Sequence, residues 1–215
     1  YGDSIIKPVF STLIQTNSVI NNLSQYGSST TSGIILKTDS SLLTIDRTGN
    51  QISATLNIVS LIKPATAIIN NVDFLFQPVG NKLFIFQNGI VTDSIQPGEI
   101  ITSEPIVLEQ ATENFRVSFG TGNGKVLSYS VSNFSDSTVW VNDTSWAVSK
   151  LAAELSYFSY ISTVPTLEVL DVPYPLYFDN AGNSYSFTNE QPIDLAITKD
   201  KNGKYISIVL TTRNK

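Results

Sequence analysis

Leu83-Phe84-Ile85-Phe86-Gln87-Asn88-Gly89-Ile90-Val91 is the stretch that decides the fold class. Two apolar runs flank Asn-Gly, the dipeptide that supplies the positive φ angles of a type I′ turn, whose twist matches the strands it joins. The same chemistry recurs at Asn202-Gly203, between runs at 194–199 and 205–211, and Gly120-Thr121-Gly122-Asn123-Gly124 turns the chain between 116–119 and 126–129. Working outward, further short apolar or alternating runs lie at 33–37, 42–46, 52–62, 67–77, 106–109, 138–142, 167–172, 176–178 and 184–187. Gly, Pro, Asn and Asp separate them, which is strand and turn punctuation. Many short strands at this spacing predict an all-β chain, and specifically an Ig-like Greek-key β-sandwich. Only residues 146–158 invite a short helix, through Leu151-Ala152-Ala153-Glu154-Leu155 with Thr144 or Ser145 as cap. No internal repeat is evident.

Composition narrows the function classes. Charged residues are 14% of the 215 positions, well under the roughly 25% of an ordinary soluble domain, and Ser, Thr and Asn fill about 30%. A surface of hydroxyls and amides with little charge suits a secreted or surface-exposed protein. The net charge is −5, and the basic residues form no stripe of the kind nucleic acid requires. Apolar runs fall short of the ~20 residues that span a bilayer, so no membrane span is expected. The first residue is Tyr1 and not Met, the expectation being a mature chain freed of a signal peptide.

Catalysis is excluded mainly by subtraction. With no His and no Cys, there is no Ser-His-Asp triad, thiol nucleophile or His/Cys zinc site, so no catalytic residue, metal or cofactor is expected. Two superficial motifs are turns: 120–125 lacks the leading Gly and the final Ser/Thr of a phosphate loop, and Asp46-Arg47-Thr48-Gly49 carries one residue too many for an aspartic-protease signature. Asp179-Asn180-Ala181-Gly182-Asn183-Ser184 has the composition of a calcium loop without its spaced carboxylates. Asn-X-Ser/Thr triplets at Asn22, Asn133 and Asn142 are candidate N-glycan acceptors.

The first twenty residues stand apart. If extended, Ile5, Val9 and Leu13 face one side, and Ile6, Phe10 and Ile14 the other, so both faces are apolar and both require burial. The spacing also fits a helical stripe, while Pro8, Thr12, Thr16 and the β-branched residues favour the extended form. Residues 21–33 then read as a Ser/Thr/Gly/Asn-rich linker.

An apolar N-terminal segment, a polar linker and a Cys-free, Asn/Thr-rich β body together resemble the archaeal thread pilins, which are similar in architecture to chaperone–usher pilins. The resemblance implies residues 1–25 as donor strand and linker and 26–215 as a pilin-like sandwich. It implies an extracellular surface filament of identical subunits, polymerised head to tail, carrying covalent N-glycans and serving adhesion or biofilm formation. Ile5, Ile6, Val9, Phe10, Leu13 and Ile14 would enter the neighbouring copy. The other expectation is a monomeric secreted β-sandwich binding module of surface-layer, adhesin or viral receptor-binding type.

Overall fold

The computed structural model describes residues 20–26, 33–38, 41–46, 48–56, 60–111, 114–141, 146–154, 157–163, 176–179, 181–187 and 190–213. These residues hold strands and no helix. The first sheet is β1 (Ile20–Tyr26), β2 (Gly33–Thr38), β3 (Ser41–Asp46) and β4 (Gln51–Leu56); the second is β5 (Ala65–Ile69), β6 (Val72–Val79), β7 (Lys82–Gln87) and β8 (Ile90–Ile95). The third is β9 (Ile106–Ala111), β10 (Asn114–Gly120), β11 (Lys125–Ser130) and β12 (Ser137–Val141). The fourth is β13 (Ala147–Glu154), β14 (Tyr157–Thr163), β15 (Leu176–Asp179) and β16 (Ser184–Ser186), and a last sheet pairs β17 (Glu190–Lys199) with β18 (Tyr205–Arg213).

Within every sheet the strands pair antiparallel in chain order. That differs from the Greek-key expectation, in which a strand returns by a long connection to lie beside a non-neighbour. The physical reason is loop length. Most strands within a sheet are joined by a handful of residues, and such connections can only link antiparallel neighbours. The sheets also stack in chain order: β1 touches β5, β5 touches β9, β9 touches β13, and β13 touches β17. Up-and-down four-stranded sheets arrayed through their leading strands are the blades of a β-propeller. The described residues make four blades and half of a fifth.

Each junction has its own apolar core. Ile35 and Leu42 of the first sheet meet Leu75 and Phe86 of the second. Phe76, Leu83 and Ile85 meet Val117, Phe119 and Leu127 of the third. Val126 meets Val148, Leu151 and Tyr160 of the fourth, and Ala152 and Ile161 meet Leu195 of the last. A blade buried on both faces needs apolar residues on both, so many strands read as continuous runs instead of alternating ones. Arg116 is buried with partners: it bonds to the Ser128 hydroxyl and carbonyl and reaches Asp136 at 3.2 Å.

Two local readings are corrected. The described part of residues 146–158 falls on β13 and the start of β14, which pair, where Val148 and Tyr157 favour strand and burial of Leu151 and Ala152 on both faces outweighs the helical propensity of Leu-Ala-Ala-Glu. Part of the stretch read as linker is strand, since β1 pairs with β2 from Ile20 to Tyr26.

Asn88 and Gly89 have φ of 49° and 81°, as their turn type requires. A second turn recurs in three places. At Asp46, Asp179 and Asp200, a Gly three residues on takes positive φ and donates its N–H to the Asp carbonyl. The Asp Oδ1 accepts the N–H groups two and four residues ahead, at 2.8–2.9 Å. Thr121 plays the Asp part in a looser version before Gly124. Asp46 and Asp179 therefore organise turns, and at each the Oδ1 is taken by backbone donors.

Candidate functional site

The last described sheet has two strands where the others have four. Its inner face is fixed to the fourth sheet by packing and by polar bonds. Leu195, Ile197 and Val209 cover Ala152, Ile161 and Tyr177. The Tyr157 hydroxyl donates to Asp179 Oδ2 at 2.7 Å. The Tyr177 hydroxyl lies 3.2 Å from the same oxygen and 2.7 Å from Ser207 Oγ, and its one proton serves one of them at a time. Ser207 donates in turn to Ser159 at 3.1 Å. Tyr157 stacks on Tyr205 with ring centres 5.0 Å apart, while Lys199 pairs with Glu154 at 3.1 Å and lies over the Tyr205 ring.

This latch sets its own protonation. Burial works against the charged form of Asp179, yet the bonds from Asn183, Tyr157 and Ala181 outweigh it and hold the pKa below the ordinary 3.8. Burial, with the charge of Asp179 nearby, pushes the Tyr177 phenol well above its usual range. Both groups therefore keep one protonation state throughout the physiological range, an acceptor carboxylate facing donor hydroxyls.

The outer face is different. By register Asp194, Ala196 and Thr198 of β17 lie opposite Leu210, Ile208 and Ile206 of β18. Ile206, Ile208 and Leu210 are 42%, 53% and 58% exposed. Among the described residues β18 pairs with β17 alone, whereas the other four sheets have four strands each. The site is thus a two-stranded sheet backed on one face by the fourth sheet, with exposed apolar side chains on the other. Sequence periodicity shows the alternation of Ile206, Ile208 and Leu210 but not that the face stays uncovered, which depends on what the neighbouring sheets reach.

The sequence-derived candidates fall as follows. Ile5, Ile6, Val9, Phe10, Leu13 and Ile14 lie outside the described residues, as does Asn142. Asn22 sits within β1, opposite Lys37. Asn133 is exposed in the β11–β12 connection, its Oδ1 accepting the Ser135 N–H at 3.1 Å. Among the described residues no three acidic side chains converge as a metal site, and no helix is long and apolar enough to cross a membrane.

One further buried group stands out. Asp73 lines a small cleft between the first and second sheets with Ile35, Leu42 and Phe86. Its Oδ1 has no hydrogen-bond partner, and burial raises its pKa above the ordinary carboxylate value.

No protein-family model matches this chain, and no curated protein matches it. Solved structures do. The chain is similar to the crystal structure of BBS1N in complex with ARL6DN soaked with mercury, at 10% identity and a TM-score of 0.59, covering 98% of this chain and 70% of that one. The lead-soaked form of the same complex gives 11% identity and a TM-score of 0.56, over 97% and 67% of the two chains. The Neurospora crassa Pan2 WD40 domain aligns over 85% of this chain and 63% of its own, at 15% identity and a TM-score of 0.49. At these identities the likeness to BBS1N is one of fold, and it agrees with the order in which the sheets stack.

Proposed function

We propose that this chain is a structural, non-catalytic subunit of an extracellular surface filament, joined head to tail to identical copies by strand addition, with adhesion or biofilm formation as the role of the fibre. The observation that supports this reading is that, among the described residues, β18 pairs with β17 alone. An unpaired strand edge accepts an extended segment through main-chain hydrogen bonds, and side-chain packing on either face sets the specificity. The donor is the N-terminal segment. One row, Ile5, Val9 and Leu13 or its alternate, packs toward the fourth sheet beside Val209; the other extends the row of Ile206, Ile208 and Leu210. Six side chains at ~1.5–3 kcal/mol each give a gross term on the order of 10 kcal/mol before ordering costs. Donor and edge are different surfaces, so the contact is heterologous and does not close, which makes a filament. Asn133, exposed on an outer connection, is the best placed of the candidate N-glycan carriers.

Negative-stain electron microscopy of the full chain and of a chain lacking residues 1–19 tests this. Fibres are expected from the first and not from the second; fibres persisting without residues 1–19 end the proposal. A second reading, a monomeric surface binding module, is favoured by the BBS1N likeness, because that domain was solved in complex with another protein. It predicts particles and no fibres from both chains.

A further inference from the structure

We infer that Tyr157 and Tyr205 are an oxidative cross-linking site, at which a one-electron oxidant joins the fourth and last sheets through a carbon–carbon bond while Asp179 takes the Tyr157 proton. Composition places oxidation on phenols and indoles. The chain has no Cys, Met or His, which leaves nine Tyr and two Trp as the side chains that give up an electron most readily. A phenol does so easily only when its proton leaves in the same step, because the protonated radical is a very strong acid. A base held about 2.6–3.2 Å from the hydroxyl meets that need. The Tyr157 hydroxyl donates to Asp179 Oδ2 at 2.7 Å. The bonds from Asn183 and Ala181 help keep that carboxylate ionised. Tyr177 reaches the same oxygen at 3.2 Å, but its closer partner is the Ser207 hydroxyl, which is not a base.

The second ring is already in place. Tyr205 lies parallel to Tyr157 within 3°, with ring centres 5.0 Å apart. A short slide of one stacked ring over the other brings an ortho carbon of each together. Lys199 Nζ lies 4.8 Å from the Tyr205 ring centre, and its charge, partly offset by Glu154, makes an electron harder to remove there. The first electron therefore leaves Tyr157 as its phenolic proton passes to Asp179, giving a neutral phenoxyl radical and a carboxylic acid, which returns the proton to solvent. A second oxidant equivalent takes an electron from Tyr205, whose phenolic proton goes to solvent. The two radicals pair their electrons in a bond between ortho carbons. The hydrogen on each of those carbons then moves to its ring oxygen and restores both phenols. In sum two electrons reach the oxidant, two protons reach solvent, and the chain is lighter by two hydrogens. The product ties β14 to β18 across a junction otherwise held by packing and hydrogen bonds.

The full chain, as a mixture of unlabelled and heavy-nitrogen-labelled copies, is exposed to a photogenerated ruthenium(III) tris-bipyridine oxidant and digested for mass spectrometry. The linked peptide pair carrying Tyr157 and Tyr205 is expected at least about tenfold above any link through Tyr185. Tyr185 is 62% exposed and would lead if access alone decided. Asp179→Asn keeps a side-chain oxygen for the Ala181 and Asn183 N–H groups and removes the base, so it should cut the Tyr157–Tyr205 link at least about tenfold. The unaltered chain supplies a second measurement: added phosphate, an external base, should speed the loss of Tyr185 and leave the loss of Tyr157 unchanged. Links led by Tyr185, a yield indifferent to Asp179→Asn, or a Tyr157 loss that rises with phosphate overturns the inference. So does a Tyr157–Tyr205 pair of mixed light and heavy mass, because the bond is placed within one chain. The inference therefore stands apart from the filament proposal, and fibres or their absence do not bear on it.

Discussion

Gly120→Ala tests the junction between the third and fourth sheets in a single methyl group. A Cβ at Gly120 would overlap the Cβ and Cγ1 of Val148 and press on Ser103 Oγ. Val148 cannot step aside. It is fully buried among Val126, Leu151 and Tyr160. Its backbone is also pinned: its N–H donates to the Thr121 carbonyl at 3.0 Å, and its carbonyl accepts from Thr102 Oγ1 at 2.7 Å. The sheets themselves must separate, which places the cost near the top of the over-packing range, about 3 kcal/mol. For a chain this long that lowers Tm by roughly 6–12 °C. The assay is urea unfolding, with a lower midpoint at unchanged m. Val148→Ala alone should cost about 2 kcal/mol through lost contact and a small cavity. The double variant should be less destabilised than the sum of the singles by a few tenths to about 1 kcal/mol, because Val148→Ala removes Cγ1 from the overlap while its Cβ stays. Strict additivity, or a Gly120→Ala change within about 0.5 kcal/mol of wild type, refutes the close approach.

Two further outcomes concern titrating groups. Asp73→Asn removes a buried carboxylate whose raised pKa makes wild-type stability greatest below the unfolded value of 3.8 and reduces it as pH rises through the folded value. The variant should gain about 1 kcal/mol or more at pH 7 and nothing at pH 3; a difference that is flat with pH counts against the buried-charge account. Asp179→Ala has the opposite sign. The depressed pKa makes its contribution present above 3.8 and lost as pH falls through the folded value. Removing it leaves the Tyr157 hydroxyl and two turn N–H groups unpaired and should cost about 1–3 kcal/mol at pH 7, measured by urea unfolding, with less effect in strong acid.

Strands were legible wherever a turn was chemically marked. Asn88-Gly89 lies between β7 and β8 with both φ positive, as its turn type requires, whereas at Asn202-Gly203 only the glycine is positive and the hairpin is closed by the Asp200 turn. The stacking of the sheets was not legible, because periodicity reports which side of a strand is apolar and not which sheet lies against it. The brevity of the connections did carry the up-and-down order, and it speaks against a Greek key once loop length is weighed with turn type. Asp-x-x-Gly at 46, 179 and 200 was a repeated signal too. Two occurrences resembled different functional motifs and the third lay in a hairpin, and only the shared bonds from Oδ1 reveal one turn used three times. At 151–155 a helix-favouring run lost to the burial of Leu151 and Ala152 between sheets. The bare row at 206, 208 and 210 was visible as alternation alone.

Because each described sheet makes its main contacts with the sheets before and after it, cooperativity in this molecule runs through a series of junctions more than through a shared centre. Amide exchange should accordingly fall into a gradient. The second and third sheets, joined by a large shared cluster, exchange slowest. β17 and β18, whose described apolar contacts lie on one face, open at the lowest free energy.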